Sequence, residues 1–232
     1  MFSIHQEIKM AIDPYSLEYQ NSLIKSIAQE SSEMMGDALE VAIDANLADG
    51  IIKEIPVVKT IYSLCKVGLG IREHFFIKKI SLFIQHINES QLDTELIKEF
   101  KINLSNNPNL ASKITENITI LIDKFTSLEK SKILGNLFAS YVKKDLTWDE
   151  YVSLSFCLEI IHPDGFKALN TLANEQPTPF STHKSFFVGE AFLIDGGIAE
   201  RNGSHLRVND FGQKLYNYGK ISYQLSKDPV AT

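Results

Sequence analysis

The chain is poor in the residues and motifs that usually announce a chemistry. It has 232 residues but only two cysteines and one tryptophan. Two cysteines cannot supply the framework of a small disulfide-stapled secreted domain. Cys65 and Cys157 each fall within an apolar helical pattern and read as reduced core thiols of a cytoplasmic protein. Basic residues are in deficit, 23 Lys and Arg against 29 Asp and Glu for a formal net charge of −6. That balance argues against a chain built mainly to neutralise phosphates. No run of the roughly 20 apolar residues needed to span a bilayer escapes interruption by charge. The opening MFSIHQEIKMAID has no basic region followed by an apolar run, so no secretory signal is expected, and the Asn-x-Ser/Thr triplets at Asn88, Asn103, Asn117 and Asn202 carry no glycosylation meaning.

Catalytic signatures are missing as well. Gly68 and Gly70 lack the third glycine and the preceding strand of a dinucleotide fingerprint, and no GxxxxGKS/T phosphate loop occurs. The histidines at 5, 74, 86, 162, 183 and 205 have no HExxH or paired-ligand spacing, and no GxSxG elbow is present. The expectation is a non-enzymatic protein with no cofactor, no metal and no small-molecule substrate.

What the chain does have is apolar surface, with 44% hydrophobic residues. Most of it is concentrated in residues 51 to 87. Pro56 suits the first turn of a helix, because its missing N–H would be unpaired there and its φ is already near helical. From Val57 a helix would bury Val58, Ile61, Leu64 and Cys65 and leave only a narrow polar stripe along Lys59, Ser63 and Lys66. Gly68 and Gly70 mark a bend. Phe76, Ile80, Phe83 and Ile87 then recur at spacings of four, three and four, one face of a second helical segment.

The flanking segments predict further helices. Residues 16 to 48 carry an intermittent apolar face with a break at Gly36, and Asp37, Glu40, Asp44 and Asp49 form a solvated acidic face rather than a metal site. Ser90 or Asp93 caps a helix over 94 to 104, and Pro108 opens one bearing Ile114, Ile118, Leu121 and Ile122. Thr126 with Glu129 and Thr147 with Glu150 each read as a capping box. The second box opens a helix with Tyr151, Leu154, Leu158 and Ile161 on its core face. Short connections predict antiparallel neighbours, so residues 1–145 are expected to form an α-helical bundle.

Residues 146–232 change character. A short helix over 163 to 174 precedes a turn at Pro177 and Pro179, and a helix from Thr182, with Phe187, Ala191 and Ile194 on one face, stops at Gly196-Gly197. Asn202-Gly203 predicts a two-residue hairpin turn, since both positions must accept positive φ. Asn209 or Asp210 caps a last helix with Phe211, Leu215 and Tyr218 on its face. Helix, turn, helix, hairpin, helix resembles the winged helix-turn-helix fold, and the stretch FLIDGGIAERNGSHLRVNDFGQKLYNYG looks like that family's second helix, wing and closing helix. The fold class is therefore mainly α: an N-terminal α-helical bundle followed by a C-terminal winged-helix-like unit with one β-hairpin. The helix around Leu134 to Tyr141, the segment Leu158 to Leu169 and the close from Leu193 to Leu215 also resemble the abortive-infection alpha family of bacterial phage-resistance proteins.

Winged helices serve both DNA binding and protein association. From residue 161 onward the chain has seven basic and seven acidic residues, no excess for a phosphate backbone. The expected function is a cytoplasmic interaction or regulatory module, in bacterial stress or phage defence, that docks a protein partner or a second copy of itself. Lys184, Arg201, Arg207 and Lys214 are the candidate contacts to nucleic acid or partner. Two alternatives stay open: a DNA-binding transcriptional regulator, and a peripheral membrane effector using the 51 to 71 helix. Ile61, Leu64 and Phe186 are the candidate apolar residues facing a partner or a bilayer.

Overall fold

The computed structural model describes residues 13, 16–28, 51–65, 70–174, 188–202 and 205–221. The described residues are mainly helical, with one two-stranded antiparallel hairpin near the C-terminal end. In order come α1 (Leu17–Ile27), α2 (Pro56–Leu64), α3 (Ile71–Glu89), α4 (Thr94–Asn106), α5 (Pro108–Lys124), α6 (Leu128–Val142), α7 (Trp148–Ile160), α8 (Asp164–Asn174) and α9 (Val188–Asp195). The hairpin strands β1 (Ala199–Asn202) and β2 (His205–Val208) follow, and α10 (Asp210–Tyr218) closes the fold.

Local signals start the helices largely where the residues direct. Pro56 and Pro108 occupy first-turn positions of α2 and α5. Asp93 rather than Ser90 caps α4, its Oδ1 accepting from the Glu95 N–H at 2.7 Å. The Thr147–Glu150 capping box is complete: the Thr147 N–H donates to Glu150 Oε2 at 2.8 Å and the Glu150 N–H to Thr147 Oγ1 at 3.2 Å. The expected box at Thr126 is not formed. Phe125 is drawn into the core in extended conformation and its carbonyl is tied to Lys79, so α6 starts one residue later, with Ser127 accepting from the Lys130 N–H at 3.4 Å.

The core is organised by α3 and α6. Phe76, Ile80, Phe83 and Ile87 are fully buried on the expected face of α3, while α6 is buried over most of its circumference from Lys130 to Ala139. The two helices run in the same direction, unlike the antiparallel neighbours that short loops predict. Lys79 reaches the carbonyl of Phe125 just before α6, Phe83 and His86 face Gly135, and Lys143 after α6 donates to the Ser90 carbonyl after α3. The intervening α4 and α5 carry the chain back to make this possible. One hydrophobic cluster then continues through Phe138, Tyr151, Leu158 and Phe166 to Leu193, Leu206, Leu215 and Ile221.

Three faces near the C-terminal end differ from the periodicity. In α9 the buried side is Gly189, Glu190 and Leu193, with Ala191 and Ile194 outward. A Cβ at Gly189 would lie 3.0 Å from both Ala168 Cβ and Asp164 O, so this helix docks through its glycine rather than its branched residues. In α10 Leu215 is buried as expected but Tyr216 replaces Tyr218 as its partner, and Phe211 is 43% exposed. The strands pair Asn202 with His205, so Asn202 belongs to β1 rather than to the turn that the Asn-Gly signal places there. The acidic run from Asp37, the bend at Gly68, Pro177, Pro179 and the helix start near Thr182 all lie outside the described residues.

Candidate functional site

The hairpin brings Arg201 and Arg207 near α9 and α10. Antiparallel register pairs Glu200 with Arg207, which puts their side chains on the same face. The Arg207 guanidinium is engaged by Glu200, and Arg201 Nη2 stands 3.4 Å from Glu190 Oε2, a carboxylate that is itself buried against α9's neighbours. Lys214 on α10 bonds Glu150 at the start of α7. That contact, together with the Thr147 backbone and hydroxyl, holds the Glu150 carboxyl down at about 2, and Glu150 in turn raises Lys214. All three basic candidates in the described residues thus face a carboxylate of their own chain. Lys184 and Phe186 lie outside the described residues.

The apolar candidates on α2 are interior. Ile61 is fully buried with Val57 and Val58 beneath α1, and Leu64 is half-buried. The Val57 N–H, one of the unpaired donors of the helix start, is taken by Ser26 Oγ of α1 at 3.0 Å. Among the described residues no helix is long and apolar enough to cross a membrane.

Buried polar groups serve helix ends. Lys79 Nζ donates to the carbonyls of Asp123 at 3.0 Å and Phe125 at 2.9 Å, closing the C-terminus of α5, and burial lowers its pKa to about 8. Lys130 Nζ does the same at 2.6 Å for the Glu159 carbonyl near the end of α7. Cys65 and Cys157 are free, half-buried and pushed up by burial, the opposite of an activated thiol. Among the described residues no three His, Cys, Asp or Glu side chains stand close enough to hold a metal ion.

A concave surface lies elsewhere on the described residues. A groove of about 310 Å³ runs between α5 and α7, walled by Ile120, Leu121, Trp148, Val152 and Phe156. Ile120 is 42% exposed and Phe156 51%, and Ile160, one turn beyond Phe156, is 61% exposed. Trp148, Val152, Phe156 and Ile160 are spaced by four and form one ridge along α7, exposed at Phe156 and Ile160 but half-buried at Val152 and Trp148, whose ring packs on Tyr141 and Tyr151 at 5.4 and 5.3 Å. Lys113 and Glu116 rim one end, and the Lys124–Glu159 ion pair at 2.8 Å closes the other. Sequence reading missed this ridge although its signal was present: a helix with one complete core face carries a second apolar row at i, i+4 spacing.

Comparison with family models, curated proteins and solved structures finds no match to this chain.

Proposed function

We propose that the chain is a non-enzymatic association module of the cytoplasm, a helical bundle joined to a winged-helix-like unit whose contacts are to protein. The observation that carries this reading is the state of the wing's cations. Arg201, Arg207 and Lys214 each have a carboxylate of the same chain within ion-pair reach. A phosphate backbone would have to displace Glu190, Glu200 and Glu150, and fewer counterions would be released for each phosphate bound. The resemblance to abortive-infection proteins sets the context as bacterial phage defence or stress regulation.

The test is an anisotropy titration of labelled duplex DNA at low and at physiological salt, beside nucleic-acid extraction of the tagged protein purified from its host. The expected result is no bound DNA and no affinity beyond the roughly 10⁻⁴–10⁻⁶ M of non-specific contact. Tight duplex binding that falls steeply with salt, and is lost in Arg201→Ala/Arg207→Ala, makes the hairpin a DNA reader and overturns the proposal.

A further inference from the structure

We draw no further inference here: the strongest candidate, the exposed Phe156 and Ile160 face of α7 beside the α5–α7 groove, carries nothing because no feature of the structure shows what covers it.

Discussion

At the scale of single residues, Gly135 decides how closely the two central helices meet. A Cβ there would stand 2.6 Å from the Phe83 carbonyl oxygen and 3.0 Å from His86 Cβ. Alanine in mid-helix is worth about 1 kcal/mol over glycine, whereas forcing an extra carbon into a packed core costs about 1–3 kcal/mol. Because the obstacle includes backbone, which cannot swing aside, the clash outweighs the propensity. Gly135→Ala is expected to lower stability by up to about 2 kcal/mol in urea unfolding. An unchanged or more stable variant would mean that α3 and α6 have room to spare. Lys79 acts at the same scale: its amine ties off two carbonyls and so fixes where α5 ends and α6 begins.

Among elements, α10 is held to the start of α7 by the Lys214–Glu150 pair, and that clasp is sensitive to acid. Glu150 titrates at about 2 in the fold instead of the usual 4.5, so the unfolded chain binds the proton more readily. Its contribution is therefore complete above pH 4.5 and is lost as pH falls from there toward 2. Urea midpoints taken at pH 5 and pH 2.5 should drop less in Lys214→Met than in the wild type, because the variant has less of this stabilisation to lose. Equal drops would show that the clasp does not couple α10 to α7. Element faces also show what the residues disclose. The apolar periods of α3, α5 and α8 and the caps at Asp93, Thr147 and Asn209 could be read directly, since each depends on near neighbours in sequence. The outward turn of Ile194 and Phe211 could not, because those faces are set by Gly189 and Gly212, where backbone approaches from another segment. Gly212 shows this plainly: a Cβ there would lie 2.2 Å from the Ile198 carbonyl oxygen. The ion pairs of Arg201 and Lys214 were hidden for a related reason, as their partners Glu190 and Glu150 lie far enough along the chain that only the fold brings them together. The α7 ridge, by contrast, is visible in the spacing of Trp148, Val152, Phe156 and Ile160, but the opposite face of that helix already supplies a core and masks it.

For the whole molecule, the parallel pairing of α3 with α6 sets an order of events during synthesis. The apolar face of α3 is complete once Glu89 has been made, yet its principal cover is not complete until Val142. At ordinary translation rates of about 5–20 residues per second, that gap lasts roughly 3 to 11 s. Throughout it, Phe76, Ile80 and Phe83 lack α6, their principal cover, and the nascent chain presents a surface open to chaperones or to another unfinished copy. A chain halted after α5 is expected to be insoluble or chaperone-bound, and one extended through α6 to be released, which ribosome-bound truncations followed by chaperone cross-linking would measure. The helix that anchors the finished protein is thus its chief hazard while it is being made.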